Sequence, residues 1–276
     1  MAGHLLAAGH TLHVTTRTRT KAQALLDRGA RWHDSPAALA SRCDVICTMV
    51  GFPADVEAVY FGETGLLATA APGTLLIDFT TSRPDLAVRI ADAAAQRGLL
   101  ALDAPVSGGD KGAREATLSI MVGGAPAAFE TARPLLETVG KQIVLQGPAG
   151  SGQHCKMCNQ IAIAGTMIGV CESLVYARQA GLEPVRVLES IASGAAGSWS
   201  LSNLAPRMLA GDFAPGFYVK HFIKDLGIAL DAAQAMQLDL PGLGLALRLY
   251  RELAADGGAE LGTQALIQRW MSLSAP

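Results

Sequence analysis

Residues 147–152 read GPAGSG, and the pattern of the 276-residue chain changes there. Before this stretch, short β-rich runs alternate with Ala-rich helical runs, which predicts a parallel sheet with helices on both faces. After it, the chain shows helical periodicity and no convincing strand. We therefore expect a doubly wound α/β domain over residues 1–150 and an all-α domain over residues 151–276.

The individual elements follow from local signals. Ser35-Pro36 opens a helix, because Ser can cap a helix and Pro fits its first turn. The predicted strands cover residues 11–16, 44–50, 74–78, 99–103, 118–122 and 142–145. The predicted helices cover residues 1–8, 21–28, 84–97, 153–180, 183–193, 200–210, 223–236 and 242–255.

The overall composition excludes several classes of protein. Half of the residues are hydrophobic, 17% are charged and the net charge is −2, with no basic tract for nucleic acid. Five cysteines in a chain of this length predict reduced thiols in a cytoplasmic protein. Cys155 and Cys158 are not expected to bind a metal, because the sequence has no second pair of ligands near them. The longest uncharged apolar stretch, residues 157–171, is shorter than the ~20 residues of a spanning helix, so we expect no membrane association.

Residues 103–113 read DAPVSGGDKGA and form the strongest motif of the chain. We expect a strand to end at Asp103, and the turn Ser107-Gly108-Gly109 leaves backbone N–H groups uncovered by side chains. Such a turn, with a hydroxyl beside it, can hold a carboxylate or phosphate oxygen. From the residues alone, an ordinary Gly-rich turn is an equal alternative.

Residues 150–160 read GSGQHCKMCNQ and open the long apolar helix. Lys156 and Asn159 are three residues apart and project from one face of it. A Lys among Ala, Ile and Met either extends its ammonium group to solvent or has a function. Burial would lower its pKa from ~10.4 toward neutrality, as a general acid or base requires.

Three further segments are candidates for a cofactor cleft. The end of the first predicted strand carries Arg17 and Thr18 without an acidic neighbour. A basic residue there favours the 2′-phosphate of NADP over the 2′-hydroxyl of NAD, although solvated turn residues would look the same. Val50 with Gly51, and Thr81, follow two later strands at their carboxyl ends, where ligands of α/β sheets bind.

Together these motifs resemble the β-hydroxyacid dehydrogenase family, which includes 3-hydroxyisobutyrate dehydrogenases, tartronate semialdehyde reductases and glyoxylate/succinic semialdehyde reductases. The resemblance covers essentially the whole chain, and residues 103–124, 150–160 and 217–226 carry it. Alone, residues 217–226 (FYVKHFIKDL) are more typical of a solvated helix face than of a site. The chain departs from the family at Glu115-Ala116, where a Gly is usual, and at Gln160, where many hydroxyisobutyrate dehydrogenases have Asn.

The resemblance implies a role for each matching residue. Lys156 is the expected catalytic proton donor, and Ser107-Gly108-Gly109 is the expected carboxylate site. Asn159 orients the substrate or Lys156, and Phe217 and Asp225 line the substrate pocket. The expected cofactor contacts are Arg17, Thr18, Val50, Gly51, Thr81 and Lys224.

The family's first strand and its Gly-x-Gly-x-x-Gly turn have no counterpart in the printed sequence. Residues 1–8 resemble the helix that follows this turn. In the doubly wound order the first strand is central, so its loss would leave two unpaired strand edges and remove glycines that hold a pyrophosphate. We expect Met1 to be an internal methionine of a longer chain rather than the start of a protein that dispenses with this element.

We therefore expect hydride transfer between NADP(H), with NAD(H) as the alternative, and a short carboxylated aldehyde or β-hydroxyacid. A homodimer or homotetramer without a bound metal is expected. Two other interpretations stay open. One is a non-catalytic oligomeric relative with a decayed cofactor site. The other is an imine reductase-like enzyme, against which Lys156 argues, because that position usually lacks Lys in imine reductases.

Overall fold

The computed structural model describes residues 1–271. Its strands are β1 (His13–Val14), β2 (Arg31–Trp32), β3 (Val45–Thr48), β4 (Leu75–Asp78), β5 (Leu100–Asp103), β6 (Val106–Ser107), β7 (Leu118–Gly124) and β8 (Gly140–Gly147). Its helices are α1 (Ala2–Ala7), α2 (Gln23–Leu26), α3 (Pro36–Ala40), α4 (Pro53–Phe61), α5 (Pro84–Ala95), α6 (Gly109–Glu115), α7 (Pro126–Glu137), α8 (Ser151–Gln179), α9 (Pro184–Ile191), α10 (Trp199–Asn203), α11 (Ala205–Leu209), α12 (Val219–Ala235), α13 (Pro241–Ala255) and α14 (Gln268–Met271). Short 3-10 helices lie at Arg19–Ala22, Leu66–Ala68, Gly258–Glu260 and Thr263–Ile267.

Several helices begin with a proline in the first turn, where its missing N–H would be unpaired in any case. In α3 the Ser35 hydroxyl oxygen accepts a hydrogen bond from Ala38 N at 3.1 Å, so the predicted helix start is confirmed. The helices α4, α5 and α7 start in the same way, with Pro53, Pro84 and Pro126. These starts fix where each helix leaves the loop that follows a strand.

The larger sheet has the strand order β3-β4-β5-β7-β6, with β8 also paired to β7. The pairs β3–β4, β4–β5 and β7–β8 are parallel, which confirms an α/β fold rich in parallel strands. Strand β7 departs from the expected parallel arrangement, because it runs antiparallel to β5 and β6. The connection from β5 to β7 is largely taken up by β6 and α6, so the chain reverses there instead of crossing over.

The strands β1 and β2 form a parallel two-stranded sheet of their own. Their register pairs His13 with Arg31 and Val14 with Trp32. Within residues 1–271, no hydrogen-bonded ladder joins this small sheet to β3.

The chain divides into two compact units, Met1–Lys156 and Met157–Pro276. In the first unit, β4 is buried along its whole length. Leu75 and Ile77 belong to one hydrophobic cluster, and Leu76, which points to the opposite face, belongs to another. Helices therefore cover both faces of this sheet, as parallel strands require.

The second unit has a helical core. Phe222 of α12 and Tyr250 of α13 are fully buried and pack edge-on, with ring centroids 4.9 Å apart. In the described part of this unit, the only β-type pairing is an isolated bridge between Tyr218 and Gly262. The last described strand, β8, ends at Gly147 and α8 begins at Ser151, whereas the division between the two compact units falls inside α8, after Lys156.

Helix α8 has 29 residues and is longer than the uncharged stretch suggested. By length and composition alone it could cross a membrane, and 44% of its most apolar window is buried inside the protein. No other described helix passes this test. Core helices of water-soluble proteins pass it as well, so the expected lack of membrane association stays a prediction.

Candidate active site

Three parallel strands of the first unit end at one edge of the sheet. Thr48, Asp78 and Asp103, the last residues of β3, β4 and β5, are register partners. Ligands of open α/β sheets bind beside such carboxyl ends. The predicted cofactor residues at 50–51 and Thr81 follow the first two of these strands directly, so the structure places them at this edge.

Thr80 ties two of these loops together. Its hydroxyl oxygen accepts a hydrogen bond from Val50 N at 3.0 Å, and its own N–H donates to Asp78 Oδ1 at 2.9 Å. Thr80 is buried, whereas Thr81 is partly exposed. The buried hydroxyl of Ser82 has no hydrogen-bond partner among the described residues. The edge therefore combines a fixed backbone with one buried hydroxyl, that of Ser82, for which residues 1–271 supply no hydrogen-bond partner.

The predicted anion-binding turn follows β6. Ser107 is the last residue of that strand, and Gly108 and Gly109 have φ angles of 125° and 63°. A side chain with a Cβ is strained at such angles, so both positions favour glycine. The two glycines are exposed and Ser107 is half-buried, so the turn presents a hydroxyl and bare backbone at the surface of this unit.

The departure from the family at Ala116 has a visible consequence. Ala116 ends α6 with φ 54° and ψ 39°, in the left-handed region. This backbone costs a residue with a Cβ about 1–2 kcal/mol, which glycine avoids. The strain lies at the far end of α6, and the Ser107-Gly108-Gly109 turn keeps its own geometry.

Asp103 holds the start of α8. Its Oδ1 accepts a hydrogen bond from Gly150 N and its Oδ2 accepts one from Gln153 N, both at 2.8 Å. The first N–H groups of a helix lack helical partners and carry partial positive charge, so a carboxylate there is favourable. Burial still raises the pKa of Asp103 above its usual range, against the opposite effect of these N–H donors. Gly152 permits the close approach, since a Cβ there would lie 2.7 Å from the Asp103 carbonyl oxygen.

Gln153 is completely buried and links α8 to the loop after β4. Its Oε1 accepts a hydrogen bond from Ser82 N at 2.9 Å, and its Nε2 donates to Thr80 O at 2.8 Å. Both partners are backbone atoms, one a donor and one an acceptor. The orientation of this amide is therefore determined by the main chain.

Lys156 lies one helical turn after Gln153, and only 6% of it is exposed. Its Nζ donates a hydrogen bond to Val106 O at 2.9 Å. The ammonium group is thus held inside the unit and does not extend to solvent. Because Val106 directly precedes Ser107, the structure brings the predicted proton donor next to the predicted carboxylate site.

In the second unit, four polar side chains form a chain of contacts. Asn159 Nδ2 donates to Gln160 Oε1 at 2.7 Å, and Gln160 Nε2 donates to Asp225 Oδ2 at 2.6 Å. The ammonium group of Lys224 lies 2.9 Å from Asp225 Oδ1. Asp225 is only 1% exposed, so within its own unit its carboxylate is enclosed by these partners rather than open. Its predicted substrate contact and the cofactor contact of Lys224 stay predictions.

Phe217 precedes α12 and is exposed. Its ring packs edge-on against Phe222, with centroids 5.9 Å apart, and its carbonyl oxygen accepts a hydrogen bond from Thr263 N. The exposed part of the ring is available to a ligand, and its role in the substrate pocket stays a prediction.

Arg17 and Thr18, the predicted phosphate contacts, are both exposed. Arg17 Nη1 lies 3.3 Å from Asp55 Oδ1. An exposed ion pair of this kind contributes about 0–1 kcal/mol, so Arg17 can exchange it for a phosphate group.

Within residues 1–271, no group of three or more His, Cys, Asp or Glu side chains is arranged to hold a metal ion. Cys155 and Cys158 lie near the start of α8, and neither forms a disulfide bond with a described cysteine. Metal binding therefore has no candidate site in the described part of the chain.

Three functional residues were missed from the sequence: Asp103 as the anchor of α8, and the buried amides of Gln153 and Gln160. A signal for the amides exists. Gln153 and Gln160 fall on the same helical stripe as Met157, Ala164 and Met167, all of which are buried. A polar residue at a buried position of an apolar stripe must find a hydrogen-bond partner, which marks both glutamines as structurally engaged.

Comparison with known proteins gives matches over nearly the whole chain. Residues 1–147 match the family described as NAD binding domain of 6-phosphogluconate dehydrogenase. Residues 150–270 match the family described as NAD-binding of NADP-dependent 3-hydroxyisobutyrate dehydrogenase.

Individual relatives agree with these family matches. The oxidoreductase YkwC of Bacillus subtilis is 58% identical, over 98% of this chain and 94% of the relative. The 2-hydroxy-3-oxopropionate reductase of Escherichia coli is 42% identical, over 97% of this chain and 91% of the relative. A solved structure of Mycobacterium tuberculosis 3-hydroxyisobutyrate dehydrogenase with L-serine has a TM-score of 0.89 and 33% identity, covering 99% of this chain and 94% of that one.

Proposed function

Because the chain belongs to the β-hydroxyacid dehydrogenase family, we propose that it interconverts a short carboxylated aldehyde and the corresponding hydroxyacid, with NADP(H) as the preferred cofactor. The family supports nicotinamide-dependent hydroxyacid dehydrogenase chemistry. The substrate class and the NADP preference are the proposal. Tartronate semialdehyde, glyoxylate, succinic semialdehyde and 3-hydroxyisobutyrate are the substrates to which it applies.

One observation carries this proposal: the buried Lys156 ammonium group donates to Val106 O, one residue before Ser107. The proposed proton donor and the proposed anion-binding turn thus lie side by side in one unit. A carboxylated aldehyde needs both, because its carboxylate must be held while its carbonyl oxygen receives a proton.

The residues at the sheet edge fit a nicotinamide dinucleotide. Residues 50–51 and Thr81 follow parallel strands whose carboxyl ends are in register, and Gly51 and Thr81 are partly exposed. The buried hydroxyl of Ser82, which has no hydrogen-bond partner among residues 1–271, supports this assignment. In the proposal residues 50–51 and Thr81 hold the cofactor, and Arg17 and Thr18 contact its 2′-phosphate.

In the reduction, the bound cofactor supplies the hydride that the carbonyl carbon of the substrate accepts. Ser107, Gly108 and Gly109 hold the substrate carboxylate through the hydroxyl and the backbone. Lys156 donates a proton from Nζ to the carbonyl oxygen as negative charge develops there, and regains a proton from solvent afterwards. A positioned general acid of this kind accelerates a reaction about 10²–10⁴-fold.

The proposal also assigns roles in the second unit. Asn159 orients the substrate, Phe217 contributes an apolar surface to the substrate pocket, and Lys224 contacts the cofactor. The proposal further includes a cytoplasmic homodimer or homotetramer.

The test measures consumption of NADPH and of NADH with the aldehydes named above, and the reverse reaction with 3-hydroxyisobutyrate. We expect turnover with a higher kcat/KM for NADPH than for NADH. Lys156→Ala should lower kcat about 10²–10⁴-fold with little change in cofactor Kd. Lys141→Ala, at an exposed lysine of β8, is the matched control and should behave like the unmodified protein.

Three outcomes would count against the proposal. If Lys156→Ala kept most of its turnover at saturating cofactor, Lys156 would not be the proton donor. If the protein bound cofactor but turned over none of these substrates, the assigned substrate class would be wrong. Failure to bind either cofactor would favour the non-catalytic relative.

A further inference from the structure

The chain of contacts Asn159–Gln160–Asp225–Lys224, here called the amide relay, joins α8 to α12. Gln160 and Asp225 are each 1% exposed, and the Lys224 side chain is 11% exposed. Asn159, at the other end, is partly exposed. The relay therefore runs from an enclosed charge pair to a side chain that a ligand can reach.

The charge pair at the enclosed end determines the direction of every hydrogen bond in the relay. A carboxylate only accepts hydrogen bonds, so Gln160 must turn its NH₂ group toward Asp225 Oδ2, as observed at 2.6 Å. A reversed amide would place its carbonyl oxygen against the carboxylate oxygen at this distance, which is repulsive. The Lys224 ammonium group, 2.9 Å from Oδ1, pairs with the carboxylate from the other side.

The orientation of Gln160 also determines the orientation of the Asn159 side-chain amide. Gln160 presents Oε1, which can only accept, so Asn159 must donate from Nδ2, as observed at 2.7 Å. Its Oδ1 then points away from Gln160 and has no hydrogen-bond partner among the described residues. Reversing the relay would direct this oxygen toward Gln160 and leave only N–H groups for a ligand.

An acceptor oxygen discriminates between ligands by what they place against it. A hydroxyl or ammonium group donates a hydrogen bond to this oxygen, whereas a methyl group displaces the water that hydrates it and donates no hydrogen bond. A buried acceptor left unpaired costs more than the hydrogen bond itself contributes, so the penalty falls on the apolar analogue.

We propose that Gln160 is a positioning residue that fixes the orientation of the Asn159 side-chain amide, so that Asn159 Oδ1 faces the ligand. The site thereby favours β-hydroxyacids with a hydrogen-bond donor on C2. The donor is a hydroxyl or an ammonium group, and the disfavoured group is methyl. This rests on the proposed function above, in which Asn159 faces the substrate.

The test uses the matched compounds HOCH₂–CH(X)–COO⁻, in which X is hydroxyl (glycerate), ammonium (serine) or methyl (3-hydroxyisobutyrate), each as the racemate. Initial rates of cofactor reduction give kcat and KM for each compound. The unmodified protein should have a kcat/KM about 10–100-fold higher for glycerate or serine than for 3-hydroxyisobutyrate. Comparing glycerate with serine tells whether the donor is a hydroxyl or an ammonium group.

Gln160→Met keeps the length of the side chain and removes both hydrogen bonds. It should lower kcat/KM for the preferred compound about tenfold or more, mainly through KM, and change the value for 3-hydroxyisobutyrate less than about threefold. Gln160→Glu should retain the preference. Two facing carboxyl groups share a proton, so the introduced carboxyl group can donate to Asp225 and still accept from Asn159. Gln179→Met, the same change at the exposed end of α8, is the control.

The inference is overturned if the unmodified protein prefers 3-hydroxyisobutyrate, or if Gln160→Met lowers all three values alike, which a merely structural role would do. It is also overturned if Gln160→Glu loses the preference together with Gln160→Met. If Gln160→Met does not fold, the inference is still tested by the preference of the unmodified protein and of Gln160→Glu for glycerate or serine over 3-hydroxyisobutyrate. Turnover of 3-hydroxyisobutyrate without the expected preference removes this inference alone, whereas no turnover of any compound removes the proposed function.

Discussion

Two glutamines of α8 are seven residues apart, about two helical turns, and both are buried, yet their amides are held in different ways. Gln153 bonds to main-chain atoms, Ser82 N and Thr80 O. Gln160 bonds to the side chains of Asn159 and Asp225. Main-chain atoms therefore fix the orientation of the Gln153 amide, whereas the orientation of the Gln160 amide depends on the negative charge of Asp225. Stability should therefore depend more on Gln153, and selectivity more on Gln160.

The largest expected effect compares the two positions directly. Gln153→Met removes the partners of two buried main-chain groups, and each orphaned group costs about 1–3 kcal/mol. Gln160→Met orphans one enclosed oxygen of Asp225, which keeps its contact with Lys224, while the partly exposed Asn159 is solvated again. Gln153→Met should therefore have the lower urea midpoint, with Gln179→Met close to the unmodified protein.

Urea unfolding followed by circular dichroism measures this difference, provided that the slope of the transition is the same for all variants. Equal midpoints for Gln153→Met and Gln160→Met would contradict the distinction between main-chain and side-chain anchoring.

A second prediction sharpens the comparison at the anchor beside Gln153. Asp103→Asn retains one acceptor oxygen for two N–H donors, Gly150 N and Gln153 N, and should destabilise the protein by about 1–3 kcal/mol. The sign of the pH dependence follows from burial, which raises the pKa of Asp103. In the folded state the Asp103 carboxyl group keeps its proton at pH values where it has lost it in the unfolded state. The contribution of Asp103 protonation to stability therefore decreases as the pH rises from about 4 through the raised pKa.

Asp103→Asn lacks this titration, so its destabilisation should be larger near pH 4 than at pH 7. Urea midpoints of both proteins across this range check it, since other groups cancel in the difference. A difference that grows with rising pH would show that the N–H donors outweigh burial at this carboxylate.

The smallest effect concerns the charge pair that orients Gln160. Burial, and then the nearby Lys224 and Lys220, lower the pKa of His221, against the opposite effect of Asp225 and Glu260. The folded state therefore resists protonation of His221, and this contribution to stability is lost as the pH falls from about 6.5 toward the lowered pKa.

His221→Gln removes this titration, so the stability difference between the variant and the unmodified protein should shift in favour of the variant as the pH falls below about 6.5. Thermal unfolding of the pair between pH 5 and pH 8 measures it. A difference that stays constant with pH would mean that neither burial nor the nearby lysines oppose protonation of His221.

Much of the architecture could be predicted from local signals. The strands later seen as β3, β4, β5, β7 and β8 were predicted within a few residues, because each is an apolar run bounded by turn residues. The two-residue strands β2 and β6 were missed, whereas the equally short β1 lies within the strand predicted at residues 11–16. The antiparallel direction of β7 was missed as well, because strand direction depends on how the connection from β5 folds.

The candidate site divides in the same way. Lys156 and the Ser107-Gly108-Gly109 turn stood out because a Lys in an apolar helix and consecutive glycines after a strand are unusual locally. Asp103 did not stand out as an anchor, since its partners Gly150 and Gln153 lie almost fifty residues away. The Gln160 contact with Asp225 spans a similar separation, sixty-five residues.

The sequence by itself determined the family, the alternation of strands and helices, and the residue types that can bind a carboxylate and donate a proton. These follow from composition, spacing and local backbone preference. Only the tertiary structure decided that Lys156 donates a hydrogen bond to Val106 O beside the turn. It also decided that the Gln153 amide bonds to main-chain atoms and the Gln160 amide to side chains. The physical reason is that a hydrogen bond is directional and short, so which donor meets which acceptor depends on packing that brings distant segments within 3 Å.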